Sequence, residues 1–353
     1  MTVKGSGGER RGRRRGEMTV ATIARLAGVS APTVSKVLNG RSGVAQATRR
    51  RVEALLSEHG YHRPEVIGAA ASLEVVFYEL ESHMAIEIMR GVEKVARAHE
   101  LAVGFTETEG RCVAGRDWTD QVLARRPTGV IAVYSALTPQ QQAQLAASAI
   151  PLVALDPTGE PLHSTPSVGA TNWSGGVAAT RHLLDLGHRR IAVIGGPAEF
   201  LCARARLDGY RAAMDTAGAT VDPALVRTGL FRFEDGLSAG RELLGLPEPP
   251  TAVFCGNDLQ ALGVYEAARE AGVRIPRDLS VVGFDDVEYA QWCGPPLTTV
   301  RQPLVEMGTA AANLVLTLAA GEQPEQVRVE LTTTLVVRQS TAQPRGPVGK
   351  RRL

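Results

Sequence analysis

Short apolar runs recur along most of this chain, and amphipathic stretches separate them. The runs are LEVVF at 73–77, LAVGF at 101–105, GVIAVY at 129–134, PLVAL at 151–155, RIAVIG at 190–195, TAVFCG at 251–256 and LSVVGF at 279–284. Helical patterns fall near 84–99, 138–148, 174–186, 203–217, 236–245, 258–271 and 303–320. A run this short and this apolar reads as a strand buried on both faces. Parallel strands need long crossovers, and the helices supply them. The region 73–340 is too long for one ordinary sheet, so the reading is α/β with two lobes of parallel sheet.

Residues 19–61 have a different texture. Ile23, Leu26 and Ala27 are expected on the inward face of a first short helix, which Gly28 ends. Ser30 can cap a second helix, where Pro32 is tolerated in the first turn and Val34, Val37 and Leu38 face inward. Asn39-Gly40 breaks it. A third helix is expected from Gln46 to His59, with Val52, Leu55 and Leu56 inward. Short helices joined by a Gly-containing turn make a helix-turn-helix head, all-α, ahead of the α/β body.

The charge is unevenly placed. Residues 1–65 carry a net +8, residues 345–353 a net +4 and the body between them −10, within an overall +2. A basic head on an acidic body points to a polyanion partner for the head alone. Residues 1–18 are expected to be a disordered basic leader, 62–72 a linker or hinge, and 341–353 a disordered basic tail. Met18 is a candidate start.

A helix-turn-helix lays its second helix in the major groove of double-stranded DNA. Ala31 and Pro32 stand at the start of that helix and Lys36 one turn on, placed for base edges; Ser30, Thr33, Ser35 and Asn39 offer short polar groups for phosphates. A plain three-helix bundle is the blander reading. The full run ATIARLAGVSAPTVSKVLNG…TRRRVEALLSEHGY is too specific for it.

That run resembles the lactose-repressor (LacI/GalR) family of bacterial transcription regulators. So do ATNWSGGVAATRHLLDLGHRRIAVIGG at 170–196, RLDGYRAAM at 206–214, VFCGNDLQALGVYEAARE at 253–270 and LSVVGFDDVEYAQWCGPPLTTVRQP at 279–303. The resemblance covers residues 19–340. It implies a periplasmic-binding-protein-like core that closes on a small effector, and a homodimer whose heads read a near-palindromic operator. Trp292 and Cys293 fall where the family's core–core interface lies, and Leu297–Val300 resembles one of its lobe crossovers.

The resemblance also implies ligand positions. Arg206 matches an arginine that reaches the ligand, Asn257 a hydroxyl-binding amide, Asp285 a carboxylate at a strand end and Phe231 an aromatic stacking position. Ser82 and His83 follow the first strand, and strand C-termini face the crevice in an α/β lobe. Plainer readings stay open: Arg206 and Asp285 as an inter-lobe ion bridge, Asn257 as a helix N-cap, Phe231 as core, His83 as a surface residue. Asp286 reads as a cap, and His188 as structural. With one Asp, one Asn, one Arg and an aromatic, the site favours an uncharged sugar or glycoside, with a purine as the alternative.

One departure stands out. Tyr61 is followed by His62-Arg63-Pro64-Glu65 where many members have an Asn, and the hinge leucine position falls at Ala70. Insertion of an apolar hinge residue into the minor groove is therefore in question. No dinucleotide, phosphate-loop or nucleophile-elbow fingerprint is present, so no cofactor and no catalysis are expected. Cys112, Cys202, Cys255 and Cys293 are isolated, which fits buried filler in a reducing compartment rather than zinc or disulfides. No signal sequence or apolar span is seen, so the expectation is a cytoplasmic protein off the membrane. A solute-binding protein, or an enzyme with a fused head, is the competing class.

Overall fold

The computed structural model describes residues 20–38, 44–58, 71–78, 80, 83–108, 116–134, 137–157 and 165–345. Contacts divide the chain into two units, 1–68 and 69–353. In the first, α1 (Val20–Ala27), α2 (Ala31–Leu38) and α3 (Gln46–Glu58) pack around Ile23, Ala24, Ala27, Val34, Val37 and Val52. Gly28 takes φ +66°, and Val29 N–H reaches back to Ala24 O, closing the end of α1. Leu26 is not inward as expected; it is 49% exposed, and Ala24 takes its place against the partner helices. Leu55 and Leu56 are half-buried.

The second unit holds two sheets. In the first lobe β1 (Ser72–Phe77), β2 (Ala102–Glu107), β3 (Gly129–Val133), β4 (Leu152–Leu155), β5 (Ser167–Ala170) and β11 (Arg328–Leu331) form an all-parallel sheet in the order β11-β5-β4-β3-β1-β2. Helices α4 (His83–Ala98) and α12 (Leu304–Ala319) cover one face, while α5 (Arg116–Arg125) and α6 (Pro139–Ala147) cover the other. Thr138 and Gln141 cap α6 reciprocally.

In the second lobe β6 (Ile191–Gly195), β7 (Val226–Thr228), β8 (Ala252–Cys255), β9 (Ser280–Asp285), β10 (Thr298–Arg301) and β12 (Thr334–Val336) run in the order β12-β10-β9-β8-β6-β7. They are parallel except for β12, which pairs antiparallel with β10. Helices α7 (Asn172–Asp185) and α8 (Leu201–Thr216) pack on one face, α9 (Phe233–Leu244) and α10 (Asp258–Glu270) on the other. The one-turn α11 (Tyr289–Trp292) leads to β10.

Each strand read from the sequence is present. The strands the sequence did not announce are three or four residues long and mixed in polarity, such as VRT and RVEL. Leu297–Val300 is a correction: Thr298–Val300 lie inside β10 in the second lobe, and the chain crosses just afterwards, at Gln302–Pro303. It also crosses between β5 and α7 at Thr171 and between β11 and β12 at residues 332–333. Two of these crossings are bonded together: Thr333 N–H donates to Thr171 Oγ1 at 2.9 Å, and Thr333 Oγ1 donates to Thr171 O at 3.2 Å.

His188 is buried among Thr251 Oγ1, Ser280 Oγ and Ala342 O, and burial lowers its pKa. Thr341 and Ala342, placed in the tail by the sequence reading, are thus bonded to the second lobe at His182, His188 and Ser280. Cys202 and Cys255 are buried, and Cys293 is half-buried. The leader, the hinge around Ala70, Cys112 and residues 346–353 lie outside the described residues.

Candidate functional site

Helix packing places the first functional side chain. α7 and α8 meet backbone to backbone, Gly176 against the Arg206 carbonyl and Gly209 against the Trp173 carbonyl, where a Cβ would collide. That close approach buries Arg206 of α8. Its Nε donates to Asn172 Oδ1 at 2.8 Å and its Nη1 to Gly256 O at 2.7 Å. The guanidinium lies 3.8 Å over the Phe284 ring and 5.6 Å from the Phe231 ring. Nη2 has no partner, although it is buried. A buried unpaired N–H is costly, so this geometry asks for an acceptor from outside the chain.

Asp285 ends β9, 3.5 Å from Arg206 Nη1, and accepts from Gln302 Nε2 at 2.7 Å. Burial, against the opposing pull of Arg206, lifts its pKa to about 6. Its backbone has φ +111°, and Asp286 follows at +57°. Such angles cost energy in a residue with a Cβ and persist only when the surroundings enforce them. The enforcement is visible. Asp286 pairs with Arg301 at 2.7 Å and Arg338 at 2.6 Å. Buried Asp258 accepts from Val287 N–H at 3.0 Å and Thr299 Oγ1 at 2.5 Å. Asp286 is therefore an ion-pair centre rather than a cap. Arg206 and Asp285 both belong to the second lobe, so their contact does not bridge the lobes.

These side chains face a cavity of about 730 Å³ between the lobes, within the range of small-molecule sites. The second lobe contributes Arg206, Phe231, Asn257 and Asp285; the first contributes Tyr78, Met84, Glu107 and Tyr134. Phe200, just before α8, stacks on Tyr134 at 5.7 Å and meets Tyr78 edge-on at 5.2 Å and Phe231 at 6.3 Å. Tyr134 OH donates to Asp156 Oδ2 at 2.9 Å; burial raises both pKa values. The walls are thus aromatic and the floor carries a fixed cation beside a carboxyl.

The sequence-derived residues fare differently. Arg206, Phe231, Asn257 and Asp285 come together in this cavity. Asn257 also caps α10: its Oδ1 accepts from Gln260 N–H at 2.9 Å, and its Nδ2 donates to Phe231 O at 2.8 Å. Its amide thereby holds Phe231 in its left-handed conformation at φ +66°. His83 opens α4, but Ser82 and the His83 side chain lie outside the described residues. The sequence reading missed Tyr134, Asp156, Asn172, Phe200 and Gln302. Tyr134 and Asp156 directly follow strands β3 and β4, so the rule about strand C-termini could have found them. Phe200 and Gln302 give no local signal.

In the head, Ala31, Pro32 and Lys36 are exposed on α2. Ser30 Oγ accepts from Thr33 N–H at 3.3 Å and lies 2.8 Å from Thr33 Oγ1, so both hydroxyls sit at the helix start. Asn39 and the Ser35 side chain lie outside the described residues. Among the described residues no cluster of His, Cys, Asp and Glu could hold a metal ion, and no helix is long and apolar enough to cross a membrane.

Comparison with known proteins bears directly on the head and the core. Residues 19–64 match the lacI family of bacterial regulatory proteins, and residues 180–341 a periplasmic binding protein-like domain. The transcriptional repressor CytR of Escherichia coli K12 is 33% identical over 329 residues, covering 92% of this chain and 96% of CytR. The chain belongs to the lacI family. It is a DNA-binding transcription regulator with a ligand-binding core, and its relatives are repressors, not enzymes. Among solved structures, the regulator CelR in complex with cellobiose matches with a TM-score of 0.70 and 32% identity, over 92% of this chain and all of CelR. The lac repressor dimer bound to operator and the anti-inducer ONPF matches at 0.68 and 30%, over 92% of this chain and 99% of that one.

Proposed function

We propose that this regulator is a cytoplasmic homodimeric repressor whose hold on a near-palindromic operator is set by a sugar bound between the core lobes. The observation that carries the ligand reading is the orphaned Nη2 of Arg206, held rigid beside Asp285 under aromatic rings. A guanidinium N–H and a carboxylate oxygen side by side match adjacent hydroxyls of a sugar, one accepting and one donating. Phe200, Phe231 and Tyr134 offer apolar faces for the C–H side of the ring. Asn257 shapes the pocket through Phe231. CelR, whose structure holds cellobiose, is a relative with this architecture.

In the head, Lys36 and Ala31 read base edges, with Pro32 against the groove wall, while Ser30, Thr33, Ser35 and Asn39 position the helix on phosphates. Two surfaces of the core suit a second copy. One is a groove of α4 and β2, where Ile86 is 51% and Phe105 59% exposed beside Met89 and Val103. The other carries Trp292, 68% exposed. Apolar groups this exposed support an interface, and the lac repressor is a dimer on its operator.

Effector can change operator affinity only by its differential affinity for the two lobe arrangements. The test is a thermal-shift panel of mono- and disaccharides, followed by operator binding to the protein's own upstream DNA with each hit. A sugar that raises the melting temperature and shifts operator affinity supports the reading. Sugar binding with no effect on DNA overturns the coupling, and tight operator binding unaffected by any sugar overturns the ligand class.

A further inference from the structure

A second cavity, of about 370 Å³, lies at the junction of the lobes beside the crossing at Thr171. It shares no lining residue with the ligand cavity, and its size is within the range of small-molecule sites. Two hydrogen bonds join the two linings. Tyr134 OH donates to Asp156 Oδ2 at 2.9 Å, and Arg206 Nε donates to Asn172 Oδ1 at 2.8 Å. Tyr134 and Arg206 line the ligand cavity, whereas Asp156 and Asn172 line the second one.

The first lobe supplies one wall. β5 and β11 run in register, Ser167 beside Arg328 and Gly169 beside Glu330. Val168 and Ala170 belong to the core under α4 and α12, so Ser167 and Gly169 face the other way. Asp156 Oδ1 stands over Gly169 on that face, 3.2 Å from where a Cβ would be. Ser167 is only 8% exposed, yet its hydroxyl has no hydrogen-bond partner among the described residues. The guanidinium of Arg328 is exposed and has no partner among them either.

The second lobe supplies the other wall, where α7 and α8 both begin. Neither start is capped by a side chain: Thr171 makes no cap bond, and Phe200 has no acceptor to offer. The first-turn N–H groups of both helices therefore lack intrahelical partners, and both dipoles present their positive end here. Trp173, in the first turn of α7, is 51% exposed on the same wall.

We propose that this second cavity binds a small planar carboxylate, an aromatic or heteroaromatic acid, as a co-effector. The carboxylate takes a forked pair of bonds from Arg328 and one from Ser167 Oγ near the helix starts, and the ring lies on Trp173. A single negative charge is favoured over a phosphate dianion, because Glu330 stands on the same strand face as Arg328 and Asp156 is buried behind it. Asp156 makes no demand on the ligand, since Tyr134, Asn172 and the Ala170 N–H already donate to it. The ligand touches strands of one lobe and helices of the other, so its binding favours one lobe arrangement and with it one operator affinity. The site stands apart from the sugar reading of the larger cavity; only its effect on DNA rests on the coupling of lobes to operator.

The test is titration of the full-length protein with benzoate and nicotinate by calorimetry and tryptophan fluorescence, with benzamide and inorganic phosphate as controls. At least one carboxylate should bind saturably at millimolar concentration and quench a fluorescence that Trp173→Phe removes, while benzamide should not bind. The side chains of Ser167 and Arg328 bond to nothing in the fold, so Ser167→Ala and Arg328→Gln should unfold as the parent does. Arg328→Gln should nevertheless weaken the carboxylate about tenfold and Ser167→Ala about threefold. Binding untouched by both variants places the anion elsewhere, with Arg206 the nearest alternative, and overturns the site. Equal binding of benzamide, or binding of neither carboxylate, overturns it as well, and tighter binding of phosphate overturns the carboxylate class. With the site filled, operator affinity should shift by about twofold or more in the parent and not in Arg328→Gln. An unchanged operator affinity overturns the co-effector role, while the sugar panel tests the larger cavity separately.

Discussion

Replacing Asp285 by Asn isolates what the ligand site costs the fold. The Asp285 carboxyl is held at about 6 rather than its ordinary 3.8, because burial outweighs the help of Arg206 and Gln302. The folded state therefore resists ionising it by about 3 kcal/mol. The folded-state pKa is the higher one, so this penalty is absent below pH 3.8, grows through the window up to about 6, and is complete above it. Asn is a neutral amide of nearly the same shape, and its oxygen can still accept from Gln302. Asp285→Asn should therefore raise the stability of the ligand-free protein at pH 7.5, by up to about 3 kcal/mol. Near pH 4 the gain should almost vanish. The same variant should lose most of its response to effector, because the charged acceptor beside Arg206 Nη1 is gone. Asp285→Ala is the wrong probe: besides the charge it removes the acceptor of Gln302 Nε2, leaving a buried amide donor unsatisfied at a cost of about 1–3 kcal/mol. The assay is denaturant unfolding at both pH values, followed by tryptophan fluorescence; Trp118, Trp173 and Trp292 all lie in the core unit. A variant no more stable than the parent at pH 7.5, or equally stabilised at both pH values, refutes the account of a strained, desolvated carboxylate.

Other expectations concern separate parts of the chain. Lys36→Ala should cost about 1–3 kcal/mol of operator binding and narrow the gap between operator and random DNA, measured by anisotropy; an unchanged ratio removes Lys36 from base reading. Gly209→Ala puts a Cβ into the Trp173 carbonyl, so unfolding should show a loss of about 1–3 kcal/mol. Effector affinity should fall with it, because Arg206 rides on the same helix; full stability with full affinity contradicts the packing argument. Phe105→Glu together with Trp292→Glu should shift sedimentation from dimer toward monomer and weaken operator binding, and a dimer that persists would place the interface elsewhere.

Period and punctuation by themselves determined a good deal here. The apolar runs before Gly195 and Gly256 and the run through Phe284 read as strands, since a short run of apolar residues without alternation fits a strand with both faces covered. Gly28 had to end a helix, and the acidic body set against the basic head named the polyanion-binding end. Arg206 and Asp285 were legible as site residues through their motifs. Tertiary structure decided what a local pattern cannot express. Leu26 has the spacing of an inward residue, yet its partners in α2 and α3 leave it in solvent. Strands of three or four residues such as β7 and β11 exist because a neighbouring strand completes their hydrogen bonds, not because of their own composition. Phe200, Gln302 and Glu107 lie far apart along the chain and have ordinary neighbours in it. They meet only because two sheets, joined by three crossings, turn their strand ends toward one crevice. The strain at Asp285 and Phe231 is likewise invisible in sequence, since it is imposed by Asp258, Arg338 and Asn257 acting from other parts of the chain.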